Sequence, residues 1–218
     1  MNMKTVLDFL TSLRENNTRN WFNDNKAKYE TAKKEFEDLL NLLIPAVYNF
    51  DPFIGTITPK QCIFRIYRDV RFSKDKSPYK TNMGGFISKG SRNGGFAGYY
   101  VHIEPGKSFL GGGLYMPASD DLKKVRQEIL YNIEEFKKII SKKTFKKTFK
   151  EIEGEKLKRP PKDFPADFPD IELLKYKSYV VLHELTDKKI LSTGFNNYII
   201  DVFKEMYPLN KFLNTVLS

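Results

Sequence analysis

The 218-residue chain predicts a single α+β domain, and three observations carry that expectation. Apolar residues recur at helical spacing over the first fifty positions, short runs alternate with period two from about 61 to 116, and no repeat or low-complexity linker divides the chain. A central antiparallel sheet, a meander over about 61–116 plus a strand at about 178–186, is expected to pack against N-terminal, middle and C-terminal helices within one domain spanning 1–218. A chain of this length buries roughly 70% of the surface its unfolded form exposes, so no disulfide or metal staple is required.

The first helix is marked by Val6, Leu7, Leu10 and Leu13 behind Thr5 as cap. A second follows Asn16 and Asn17 through Trp21, Phe22, Tyr29, Phe36, Leu39, Leu40 and Leu43, and Pro45 is expected to end or kink it. After the turn-rich "DPFIGTITPK" come four runs that read as strands: "QCIFRIY", "NMGGFISKG", "GYYVHIEP" and "SFLGGGLYM", with "EPGKS" as the tight turn between the last two. A helical block begins at Ser119, read as its cap, and continues into a lysine-rich segment. The four prolines of "KLKRPPKDFPADFP" impose an extended path, and 159–169 is the one candidate boundary. A short helix near 171–174, the strand "SYVVLHEL" and a last helix from about Asn196, kinked at Pro208, complete the chain.

The formal charge of +10 is local. Residues 65–80 carry six cations against Asp69 and Asp75, a net of +4, and residues 137–150 carry seven lysines and no acid, so the rest nets −1. A high isoelectric point alone is therefore no argument for nucleic-acid binding. The single cysteine, Cys62, lies in an apolar run and is expected in the core of an intracellular protein. Asp8 interrupts the only candidate signal-peptide core, and no apolar run reaches membrane-spanning length, which predicts a soluble, cytoplasmic protein without a membrane partner.

Strand alternation assigns faces. Cys62, Phe64 and Ile66 fall on one side of their run, opposite Ile63, Arg65 and Tyr67. Tyr99, Val101 and Ile103 form an apolar side, opposite Tyr100, His102 and Glu104, and Leu110, Leu114 and Met116 oppose Phe109, Gly111, Gly113 and Tyr115. If the apolar sides pack on the helices, then Arg65, Tyr67, Tyr100, His102, Glu104 and Tyr115 share one sheet face, and "GGG" is either the floor of a pocket or a bulge.

Beside that face runs "RIYRDVRFSKDKSPYKTN", residues 65–82. The guanidinium fork matches carboxylate and phosphate, so Arg65, Arg68 and Arg71 are candidate anion ligands. Lys76 and Lys80 add positive potential, and Tyr67, Tyr79, Tyr100, Glu104 and Tyr115 line the site. Asp69 and His102 are the candidate catalytic groups, should the site be an enzyme's. The expected partner is an anionic, phosphate- or carboxylate-bearing small molecule. One alternative is nucleic acid, held by the arginine loop together with the lysine-rich helix. Another is an internal network in which Asp69 and Asp75 neutralise the arginines and no ligand binds. His102 and Glu104, two apart on a strand, project to one side as an acid–base pair. With His183 the only other histidine, the composition speaks against a multi-histidine zinc site, and no metal is expected. No phosphate loop, dinucleotide fingerprint or nucleophile elbow occurs, and no cofactor follows from the residues.

"RIYRDVRFSKDKSPYKTN", "GGFAGYYVHIEPGKSFLGGGLYMP" and "LKRPPKDFPADFP" with "ELLKYKS" resemble the bacterial and fungal family called domain of unknown function 2461. The likeness extends to the N-terminal "FLTSLRENNTRNWFNDNKAKYE", hence over nearly the whole chain. It implies one compact domain and maps the family signature onto Arg65, Arg68, Asp69, Arg71, Phe72, Asp75, Lys76 and Tyr79. It implies no particular chemistry.

Overall fold

A computed structural model of the chain describes residues 1–217. Three helices open it: α1 (Met3–Glu15), α2 (Arg19–Asp24) and α3 (Lys26–Phe50). The side chain of Asn2, rather than Thr5, caps α1, accepting from the Lys4 amide, and α3 runs through Pro45 to Phe50 instead of ending there. A 3-10 turn (Pro52–Ile54) and the one-turn α4 (Pro59–Cys62) lead to the sheet, built from β1 (Met83–Ile87), β2 (Gly98–Ile103) and β3 (Ser108–Leu114). Helices α5 (Ser119–Tyr131), α6 (Ile133–Ser141), α7 (Lys143–Phe149) and α8 (Ile171–Leu174) follow, then β4 (Tyr179–Leu185), α9 (Asp187–Ile190) and α10 (Phe195–Asn214). The four strands lie in chain order and every pair is antiparallel, which is the α+β architecture the periodicities predict.

One predicted strand is replaced. "QCIFRIY" begins in α4, because Pro59 suits a first helical position and the Gln61 side chain reaches back to accept from the Thr58 amide at 2.8 Å. The chain then runs alongside residues 78–85, touching it at two isolated bridges, Ile63 with Gly85 and Tyr67 with Tyr79. Four residues separate the partners on one side and six on the other, so a two-residue bulge interrupts what would have been a first strand. Other boundaries shift less. Ser119 is the first residue of α5 behind Ala118, and the lysine-rich segment breaks at Lys142 into α6 and α7. The apolar stripe of that segment is core: Phe136, Phe145 and Phe149 are buried.

Helices cover one face of the sheet. Tyr99, Val101, Ile103, Leu110 and Val181 are fully or almost fully buried there, and Tyr99 packs on Phe203 of α10 at 5.1 Å. The chain approaches so closely that a Cβ on Gly85 would collide with Leu40 of α3, and one on Gly112 with Met206 of α10. Gly113 has φ 108°, where an L side chain is strained. Two residues of "GGG" are thus explained by packing and backbone conformation, and Gly111 alone leaves ordinary space on the other face. The sheet edges are partly closed: Phe64 donates to the Gly84 carbonyl at 2.9 Å beside β1, and Glu153 donates to that of Val180 at 2.7 Å beside β4.

Buried amides tie α10 to β2. Asn214 accepts from the Ala97 amide at 2.8 Å and donates to its carbonyl at 3.1 Å, while Asn210 donates to the Gly98 carbonyl at 3.0 Å. Among the described residues no helix is long and apolar enough to cross a membrane. Replacing Asn214 by Ala leaves the buried Ala97 N–H without its acceptor and leaves the Ala97 carbonyl only the Ser88 hydroxyl at 3.3 Å, and urea denaturation should show a loss of about 1–3 kcal/mol; a change below about 0.5 kcal/mol would show that the clamp does not hold strand to helix.

Candidate functional site

The face of the sheet turned away from α3 and α10 carries a hydrogen-bonded row, with His102 buried and Tyr100 and Glu104 half-buried. Because Tyr99, Val101 and Ile103 point into the core, Tyr100, His102 and Glu104 must point outward. Tyr100 Oη lies 3.1 Å from His102 Nδ1, His102 Nε2 lies 3.2 Å from Glu104 Oε2, and Thr81 donates to Glu104 Oε1 at 2.9 Å. A carboxylate only accepts, so Nε2 carries the proton of the neutral ring and Nδ1 is left to accept from the Tyr100 hydroxyl.

Neighbouring strands hold the row in place. In register, His102 lies between Gly84 and Phe109, and Tyr100 between Phe86 and Gly111. Phe109 stacks on the imidazole at 4.5 Å and 15°, and a Cβ on Gly84 would collide with the Tyr100 hydroxyl. Burial pushes the Tyr100 hydroxyl up to about 12, with the Glu104 charge adding to the effect. Burial also lowers His102 below the ordinary 6.5; the nearby Lys80 charge lowers it further and the Glu104 contact opposes both.

Lys80 sits close enough to the row for its charge to act on His102. Lys80 Nζ is 5.7 Å from the Phe64 ring, which meets Tyr100 edge-on at 6.0 Å. Burial lowers the Lys80 pKa, and the charge of Arg65 lowers it further. Neither Arg65 nor the Lys80 ammonium has a carboxylate partner among the described residues. Phe64 joins this face instead of the core side expected from alternation, because α4 and the bulge reset the phase of the run; it is 37% exposed.

The remaining motif residues form a self-contained loop. Arg71 makes a two-pronged pair with Asp69, Nε to Oδ1 at 3.0 Å and Nη2 to Oδ2 at 2.7 Å. That pair holds the Asp69 carboxyl below its usual range, so Asp69 is a poor proton acceptor. Arg68 is spanned by Asp75, the Ser77 carbonyl at 3.2 Å and Ser73 Oγ at 3.4 Å. Asp75 is lowered to about 2, first by the Ser77 hydroxyl and amide and then by Arg68. Lys76 donates to the Val70 carbonyl at 3.0 Å.

Tyr67 and Tyr79 belong to the anchor of this loop. Tyr79 is buried, stacks on Phe22 at 3.9 Å and 12°, and its backbone is gripped by the Asn17 side chain at 2.9 and 3.1 Å; Tyr67 leans on the same two rings. Tyr115 lies beyond the end of β3 and is 72% exposed. The structure therefore gathers Lys80, Tyr100, His102 and Glu104, sets Arg68, Arg71 and Lys76 in the loop, and places Arg65 between the two groups, where its charge acts on both Lys80 and Asp69. Thr81, Phe64 and Gly84 complete the gathered group and carried no signal in the sequence; Phe109 was legible from alternation.

Two open grooves of about 600 Å³ each lie elsewhere, along α6 and α7, with Lys138 common to both. Their lysines are partly neutralised, Lys137 by Asp170 and Lys142 by Glu205. No group of three or more His, Cys, Asp or Glu among the described residues is arranged to hold a metal ion.

The model of the family described as "Conserved hypothetical protein (DUF2461)" matches residues 5–212, so the chain belongs to that family. No curated protein and no solved structure matches it.

Two outcomes are expected from this geometry. Arg68→Ala should lower the denaturant midpoint, because it leaves the half-buried Ser77 carbonyl without its side-chain donor while Asp75 keeps its bonds to Ser77, whereas Arg71→Ala, on the exposed pair, should leave the midpoint unchanged. A folded-state His102 pKa below 6.5 means that the unfolded chain takes up a proton that the native one refuses. Stability is thus full above about pH 6.5 and falls as pH drops through the depressed folded value. Proton NMR of the imidazole should place that midpoint below 6.5, and His102→Gln should flatten the stability profile in the same window.

Proposed function

We propose that this DUF2461-family protein binds an anionic small molecule, phosphate- or carboxylate-bearing, on the open sheet face, with Arg65 and Lys80 as its ligands. The observation that supports this is a pair of neighbouring cations, neither in an ion pair with a carboxylate among the described residues, with Arg65 compensated only by the longer-range charge of Asp69. A partly buried ammonium close enough to a guanidinium to be depressed by it is electrostatically costly, and an anion lying between them would relieve both. The Tyr100–His102 pair is the polar wall next to that position, and Phe64 and Phe109 are its apolar walls. Arg68, Asp69, Arg71, Asp75 and Lys76 shape the loop, and the internal network expected as an alternative describes these five well.

Binding of nucleic acid by both basic stretches together would need them on one exposed face. The arginine loop lies beside β1, at one edge of the sheet, and α7 lies against β4, at the other, where the Thr148 carbonyl is 2.8 Å from His183 Nδ1. The small anion is therefore the preferred partner.

Calorimetric titration with inorganic phosphate, pyrophosphate and citrate should detect binding of at least one anion. Arg65→Ala and Lys80→Ala should each weaken it roughly tenfold or more, as expected for a lost charge-assisted hydrogen bond, and Arg71→Ala should change it less than about twofold. Equal affinities in all three variants, or no binding of any of these anions, would rule the site out.

A further inference from the structure

The row Tyr100, His102, Glu104 and Thr81 has the connectivity of an acid–base relay, and the geometry points to one: His102 acts as general base toward the Tyr100 hydroxyl, with Glu104 as the positioning residue. Each link has a defined role. Thr81 and His102 occupy one oxygen each of Glu104, which fixes the carboxylate. Glu104 holds the proton on Nε2, so the lone pair of Nδ1 points at Tyr100 Oη. Phe109 holds the ring plane, and the missing side chain of Gly84 makes room for the hydroxyl.

The proton path balances. As Tyr100 Oη takes the proton of a ligand X–H group, it passes its own proton to His102 Nδ1, the electron pair of the X–H bond stays on X, and Glu104 stabilises the imidazolium that forms. The proton returns by the reverse path or to water. Tyr100 stays neutral between turnovers, so the step requires no preformed tyrosinate. That the ligand carries an anionic group rests on Arg65 and Lys80 serving as the anion site; the relay itself does not. The expected ligand class is then a small anion with an ionisable hydroxyl, or an acidic C–H next to a carbonyl, a few ångströms from its charge.

Every charged or titratable group facing the imidazole is accounted for. Tyr100 and Glu104 lie on its own strand, Lys80 lies on the segment leading into β1, and Arg65 lies beside Lys80. On β3 and β1 the neighbours are Phe109 and Gly84, which do not titrate, and Glu184 of β4 lies one strand further out, paired with Phe109.

The relay can be read without knowing the natural ligand, using two aryl sulfonyl fluorides: benzenesulfonyl fluoride and 4-(fluorosulfonyl)benzoate. In this reaction Tyr100 Oη bonds to sulfur, the S–F bond breaks with its electron pair leaving as fluoride, and the hydroxyl proton goes to His102. Intact mass and peptide mapping of the full chain should find Tyr100 labelled, with no label there in Tyr100→Phe. The rate should rise through the titration midpoint of His102 and then level off across about pH 7 to 8.5, and His102→Gln should lower it at least tenfold, within the range for a general base. A rate that climbs about tenfold per pH unit without a plateau, as for a free tyrosine, would overturn the relay, as would equal labelling in His102→Gln or none at Tyr100; the wild-type pH profile decides even if that variant fails to fold. The carboxylate probe should react faster than the neutral one in wild type, and Arg65→Ala should remove that advantage. If it does not while the His102 dependence holds, the anion site fails and the relay stands.

Discussion

The architecture depends on one constraint: only one face of the four-stranded sheet is packed on helices. With α3 and α10 against it, the sheet must direct Tyr99, Val101 and Ile103 inward, and a one-residue slip of β2 would turn His102 and Glu104 into the helix-packed core in their place. The paired amides of Asn214 on Ala97, and the close approach of Met206 to Gly112, make such a slip costly. The polar row on the outer face is a consequence of that register. Its chemistry is as well defined as the core opposite.

The arginine-rich loop then has two separable jobs. Its tip is held by its own carboxylates, Asp69 on Arg71 and Asp75 on Arg68, so these guanidinium groups are occupied. Its stem is held by the Asn17 grip and by the stack of Tyr79 on Phe22, which sets where Lys80 emerges. Successive residues of an extended stem point to opposite sides. Tyr79 anchors on one side, and Lys80 therefore faces Phe64 and His102 on the other.

Much of this was legible in the residues, and the misses have physical causes. Alternation in "GYYVHIE" placed six side chains correctly because β2 is a central strand paired on both sides, where register is strongly specified. The same logic failed for "QCIFRIY" because Pro59 and Gln61 favour a helical turn, and because a bulge shifts phase without any residue that announces it. Charge counting located a cation surplus but could not distribute it. The Asp69–Arg71 fork is a local contact between neighbours two apart in a loop, which no strand or helix periodicity reveals. Asn17 looked like part of a break between helices, and nothing in sequence linked it to Tyr79, 62 residues away.

The central claim is that Lys80, beside His102, and the neighbouring Arg65 form an anion site. Its most direct test is the imidazole titration of His102, followed by proton NMR with and without saturating pyrophosphate, with His183 as internal control. Lys80 contributes to holding His102 down, so an anion seated on Arg65 and Lys80 should raise the His102 midpoint toward or above 6.5 and leave His183 where it was. A His102 midpoint unmoved by the anion, or one that shifts together with that of His183, would contradict the account.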